Sequence, residues 1–238
     1  MNEAFIIDTA TRDLLVAEDP KSAEILKPIL RGRDIKRYGY EWAGLWIIAS
    51  GFDIDVPKKY PTVFKHLKQF EEKAKKRDDQ GKNWWNLRSC AYYPEFEKEK
   101  VIWSDIATKP IFTLLPSGIF FNNTVYMIIS ESNKFLNGVL NSNIIKWYFP
   151  LISTDLGDKG QRFFKIFVEN MPIPLITPSN KSIVAQIERI VEKILSVKKQ
   201  NPKADTSQSE REIDRLVYKL YELTEEEIAI VEGKKCMG

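Results

Sequence analysis

The chain has 238 residues, 43% of them hydrophobic and 12% aromatic, which suits one large domain or a domain with an appendage and excludes a disordered or low-complexity chain. No apolar run reaches the ~18 residues that a membrane-spanning helix needs, and Met1-Asn2-Glu3-Ala4 lacks the basic-then-apolar plan of a secretory leader, so a cytoplasmic protein is expected. The net charge of +3 is unevenly spread: Lys21 to Lys109 holds 19 basic against 13 acidic residues, while Asp205 to Glu232 holds 3 against 9. A basic body points to an anionic partner, and an acidic tail points to a separate role.

Ala4 to Asp8 reads as a short strand, and Ser22 to Leu30 as a helix capped by Ser22. Leu30-Arg31-Gly32-Arg33-Asp34-Ile35-Lys36-Arg37-Tyr38 is dense in charge and broken by glycine, the signature of a turn. Leu45 to Ala49 is a strand-type apolar run. Pro61 opens a helix on which Val63, Leu67, Phe70 and Ala74 share one face, with lysines on the others, ending near Asp78-Asp79-Gln80-Gly81. Strands are expected over Lys100–Ser104, Ile111–Leu115 and Thr124–Ile129, with a turn at Pro116-Ser117-Gly118. Asn133 to Phe149 returns to helical spacing, and Met171-Pro172-Ile173-Pro174 is an extended exit.

Beyond Pro178 the pattern is helical throughout. Ile183, Ile187, Ile190, Ile194 and Val197 recur at spacings of 4, 3, 4 and 3, a heptad seam suited to self-association or to packing. Ser207 with Glu210 and Thr224 with Glu227 are capping-box pairs opening two further helices. The expected architecture is therefore α+β: a mixed-sheet body over residues 1–176, followed by a helical hairpin over 177–238.

Catalytic signatures are missing. There is no glycine-rich phosphate loop, no G-x-S-x-G elbow and no Asn-Pro-Pro-Tyr methyl-transfer loop. The single histidine, His66, lies among lysines on an amphipathic helix and reads as solvated. Cys90 and Cys236 read as reduced thiols without a metal role. Glu97-Lys98-Glu99-Lys100 carries Glu-x-Lys spacings, which leaves a nuclease site around Glu97 and Glu99 as an alternative.

What is present is cations interleaved with aromatics. Arg31, Arg33, Lys36 and Arg37 flank Tyr38; Lys82, Trp84 and Arg88 form a second cluster; Lys159, Gln161 and Arg162 follow a two-glycine loop. Arginine can take both acceptors of a guanine edge and lysine pairs with phosphate, so these are candidate DNA contacts. At least one of Trp84 and Trp85 is expected in the core.

The motifs also come in a familiar order. Leu30–Ile35 with Arg37-Tyr38, Tyr60-Pro61 leading a lysine-rich helix to Lys76-Arg77, Trp84 to Arg88, Lys100-Val101-Ile102, Phe121–Tyr126, Leu136–Ser142, Lys159-Gly160 and Met171–Pro174 resemble the C-terminal specificity domain of TaqI-like methyltransferases and type IIG restriction–modification enzymes. Glu210 to Tyr218 is similar to their closing helix. The resemblance implies sequence-specific recognition of duplex DNA by a chain that is not itself an enzyme and holds no cofactor. It further implies a parent carrying an upstream adenine-N6 methyltransferase that uses S-adenosylmethionine, with Mg²⁺ if the parent also cleaves. A type I-like specificity subunit that works through protein assembly stays open as the alternative.

Overall fold

A computed structural model describes residues 4–234; Cys236 lies outside them. The fold is α+β, in two compact units between which the chain passes repeatedly. One unit comprises the chain up to Leu30, Trp42–Lys98 and Pro116–Asn122; the other comprises Arg31–Glu41, Glu99–Leu115 and Asn123 onward.

The first unit is built on a four-stranded mixed sheet in the order Ile6–Asp8, Leu45–Ile48, Leu26–Leu30, Phe120–Phe121. The first three strands are antiparallel and the last is parallel to its neighbour. The expected helix over Ser22–Leu30 does not form. Pro20 opens a single 3₁₀ turn, Pro20–Glu24, and Leu26–Leu30 is a strand. Pro28 is the reason, because proline can neither donate within a helix nor fit behind the preceding turn. It is tolerated in the strand because the ladder changes partner there: Leu26 to Pro28 pair with one neighbour, Ile29 and Leu30 with the other. Helix Thr9–Glu18 was not anticipated; its start is marked by Asp8, whose carboxylate accepts the Thr11 N–H at 2.8 Å.

Helix Pro61–Lys68 breaks at Gln69-Phe70 and resumes as Glu71–Ala74, yet Val63, Leu67 and Ala74 stay buried on the expected face. Val63 and Leu67 pack with Phe5, Ile7, Leu26, Ile48 and Val56. His66 is half-buried with its Nε2 unpaired, and burial depresses its pKa, so it is not the solvated residue expected.

The second unit pairs Lys100–Ser104 with Val125–Ile128 on one side and Phe112–Leu115 on the other, both antiparallel. The expected helix over Asn133–Phe149 is two helices, Asn133–Leu140 and Asn143–Ile152, divided at Asn141-Ser142. Asn141, fully buried, explains the break. Its Oδ1 accepts the Phe112 N–H at 3.1 Å, and its Nδ2 donates to the Phe112 carbonyl at 2.9 Å and to Asn137. A side chain that completes a strand's backbone hydrogen bonds fixes helix to sheet. Gly138 sets a second join, helix to helix: a Cβ there would stand 2.7 Å from Ile187 and 3.1 Å from Val191, so only glycine admits helix Lys181–Gln200 this closely.

That helix buries Val184, Ile187, Val191 and Ile194, a face rotated from the expected seam, with Ile183 and Ile190 only partly covered. Helix Ser207–Leu220 adds Ile213, Leu216, Val217 and Tyr218 to the same core. The expected boundary at residue 176 therefore matches neither unit, because the C-terminal helices complete the second unit's core. The cap expected from Ser207 moves back one residue: Thr206 precedes the helix, and its hydroxyl donates to Glu210 at 2.7 Å. The Thr224–Glu227 capping box forms as expected before helix Glu225–Val231. No helix among the described residues is long and apolar enough to cross a membrane.

Candidate nucleic-acid interface

The first cluster lies in the second unit, on a 3₁₀ turn, Gly32–Asp34, and a tight hairpin pairing Ile35–Lys36 with Gly39–Tyr40. Three of its five candidates build that hairpin. Arg31 clasps Asp34, its Nε and Nη2 donating to the two carboxylate oxygens at 2.9 and 2.8 Å while its backbone N–H donates at 2.9 Å. Burial pushes the Asp34 carboxyl up, but these hydrogen bonds outweigh it and hold the pKa below the usual aspartate value. Arg37 pairs with Glu210 at 2.6 Å. Tyr38 sits in the left-handed region at φ 58° and is 1% exposed, so its ring is core and not a contact surface. Arg33 and Lys36 remain outward and exposed; Lys36 caps the Arg33 carbonyl at 3.0 Å and stands 3.7 Å from Glu41.

The second cluster belongs to the first unit. Lys82 and Arg88 are exposed at the two ends of a loop, while Trp84 and Trp85 are half-buried against Phe64 at ring separations of 5.8 and 5.4 Å. Both tryptophans thus brace the loop on the core. Its shape is set by residues that pattern reading passed over. Buried Asn86 donates to the Ser50 and Ile54 carbonyls at 3.1 and 2.9 Å. Arg77 donates to the Trp84 and Asn86 carbonyls, both at 2.8 Å, and lies over the Phe5 ring. Burial lowers the Arg77 pKa, the mark of a structural arginine held by backbone oxygens. Its place at the end of the lysine-rich helix was the only sequence cue.

The third cluster returns to the second unit, where Gln161–Arg162 pairs antiparallel with Ile106–Ala107. Gly160, at φ 93°, comes so close to the Ala107 carbonyl that a Cβ would stand 2.4 Å from it. Lys159 is exposed. Gln161 accepts the Ser153 hydroxyl at 2.7 Å, which leaves its amide N–H groups to donate elsewhere. The Arg162 guanidinium stacks over the Phe164 ring at 4.5 Å and has no ion-pair partner among the described residues. The ribbon also brings exposed Lys109 beside this loop, a residue noticed only as part of the basic body. The second unit therefore displays Arg33, Lys36, Lys109, Lys159 and Arg162, and the first displays Lys82 and Arg88, each on a loop tied to its own core. Glu97, of the alternative nuclease pair, stands 3.4 Å from Lys27. Among the described residues no three His, Cys, Asp or Glu side chains gather in a metal-holding group.

An α+β scaffold presenting cationic loops is the class of molecule these features define. The chain belongs to the family of TaqI-like C-terminal specificity domains, whose model matches residues 27–173. Its fold is similar to that in the structure of the type IIL restriction-modification enzyme MmeI in complex with DNA, at a TM-score of 0.70 and 15% identity, covering 97% of this chain and 33% of MmeI. The structure of the type IIG restriction endonuclease BpuSI gives a TM-score of 0.48 at 15% identity, covering 90% of this chain and 28% of that one. No curated protein matches. The chain spans about a third of the length of the MmeI chain.

Proposed function

We propose that this chain reads a short sequence in duplex DNA as the specificity part of a restriction–modification enzyme and performs no chemistry itself. The observation that carries this reading is the family match, which runs through all three candidate clusters. The exposed Arg33, Lys36 and Lys159 and the half-buried Arg162 support it: they stand on hydrogen-bonded segments, which hold groove-reading side chains in place. In this reading the longer parent supplies an adenine-N6 methyltransferase with S-adenosylmethionine, and a Mg²⁺-dependent nuclease if it also cleaves. Cytoplasmic action follows from a DNA partner.

Assembly through the C-terminal helices is the weaker reading, because Ile187 and Ile194 of the expected seam are 0% exposed within their own unit. The deciding experiment is a mobility-shift titration of the full chain on duplex DNA across a salt series. The reading expects duplex binding with a negative salt slope, each lost phosphate contact reducing the slope by about 0.9. A folded chain that ignores duplex DNA at low salt refutes it.

A further inference from the structure

The acidic C-terminal segment hides a positive cleft. Helices Asn143–Ile152, Ser207–Leu220 and Glu225–Val231 line an open hollow of about 600 Å³, within the roughly 300–1,000 Å³ of small-ligand sites. Arg211, Arg215 and Tyr218 recur at i, i+4 and i+7, so one face of the second helix forms a wall. Lys146 and Trp147 come from the first helix. Among the described residues, Lys146, Arg211 and Arg215 make no ion pair; the pairs formed nearby are Lys234 with Glu232 and Arg37 with Glu210.

The carboxylate between these cations is already engaged. Asp214 accepts the Asn143 backbone N–H at 2.7 Å and its Nδ2 at 2.9 Å, which ties the two helices together, and among the described residues it forms no ion pair with either arginine. The Tyr218 hydroxyl, buried in the same wall, lies near Asn143 without a well-formed hydrogen bond. Trp147 is 41% exposed and Ile230 is 50% exposed, a flat aromatic and an aliphatic side chain left open within a cationic hollow. Two guanidinium forks and an ammonium are the donors a phosphate monoester takes, and an open indole face is a stacking surface for a base. The segment's 9 acidic against 3 basic residues disfavour a long polyanion and favour a compact one.

We propose that this cleft binds a nucleoside monophosphate, its phosphate on Arg211, Arg215 and Lys146 and its base on Trp147. The site is separate from target reading and stands or falls independently of it. The test is calorimetry on the full chain with adenosine 5′-monophosphate, ribose 5-phosphate and a short DNA duplex as probes. The nucleotide is expected to bind one per chain, and ribose 5-phosphate about tenfold more weakly for want of stacking. Arg211→Gln with Arg215→Gln should weaken nucleotide binding by tenfold or more on charge-assisted grounds, and Trp147→Ala should reduce it to the ribose phosphate level. Both arginines are exposed, so the double variant keeps its fold; Arg215→Lys, which keeps charge and loses the fork, gives the same direction by milder means. Absence of saturable nucleotide binding overturns the proposal, as does binding that ignores the double substitution. Duplex that displaces the nucleotide and needs the same arginines would assign the cleft to a DNA strand instead, and overturn it equally.

Discussion

Asp214→Asn should stabilise the protein relative to wild type progressively as pH rises from acid to neutral. The Asp214 carboxyl is buried at the join of two helices, and burial raises its pKa from the ordinary 3.8 to about 6, with the Asn143 N–H opposing. The native state therefore holds a proton that the unfolded chain releases, and stability falls as pH rises between those two values. Each pKa unit corresponds to about 1.4 kcal/mol, so the full cost above pH 7 is about 3 kcal/mol, of which about 1 has accrued by pH 4.5. Asparagine keeps an oxygen for the Asn143 N–H and never ionises. Urea unfolding of both proteins at pH 4.5 and 7 should show the variant gaining about 2 kcal/mol on wild type across that interval. Taking the difference removes the contribution of other groups, such as Asp34, whose depressed pKa makes them lose stability in acid. A stability difference that stays constant across the interval, or moves the other way, would refute the claim that the buried carboxylate is held against its solvation.

Other expectations follow from the same contacts. Asn141→Leu leaves the buried Phe112 N–H without a partner and its carbonyl with the Tyr38 N–H alone, and should cost about 1–3 kcal/mol in the same unfolding assay. Arg31→Ala uncovers the buried Asp34 carboxylate and should cost roughly 3 kcal/mol. Arg33→Ala, two residues on and exposed, should leave stability within about 0.5 kcal/mol while lowering the salt slope of duplex binding. Gly160→Ala forces a side chain into the Ala107 carbonyl at a φ that L residues avoid; it should weaken duplex binding through the displaced loop, with far-ultraviolet circular dichroism unchanged.

Periodicity carried the strands well, because Lys100–Ser104, Phe112–Leu115 and Val125–Ile128 are apolar runs between turn residues that tertiary context left alone. It failed where one residue outweighed a pattern. Pro28 turned an expected helix into a strand, and Asn141 split another by bonding to a neighbouring strand's backbone. The seam on Lys181–Gln200 was displaced for a related reason: the close approach at Gly138 sets which side of that helix faces inward, and no spacing rule contains that partner. Among the candidate contacts, residue type could not separate reader from scaffold. Arg31 and Arg33 are alike in sequence, and only the Asp34 carboxylate three positions on distinguishes the clasped one, an Arg-x-x-Asp spacing that is the one sequence signal separating them. Tyr38, expected as a contact, is enclosed because the hairpin needs its left-handed turn there.

The five crossings of the chain between the two units constrain how the protein can be made and divided. The Leu26–Leu30 strand waits for Phe120-Phe121 before its second edge is paired, and the Arg31–Glu41 hairpin waits for the helix that bears Glu210. Neither unit is complete on the ribosome until sequence far downstream has emerged, which places this chain among slow folders with many non-local contacts. No single cut releases either unit intact. An exchange of recognition loops between relatives must then be made loop by loop on a retained scaffold, since any one crossover point carries half of each unit with it.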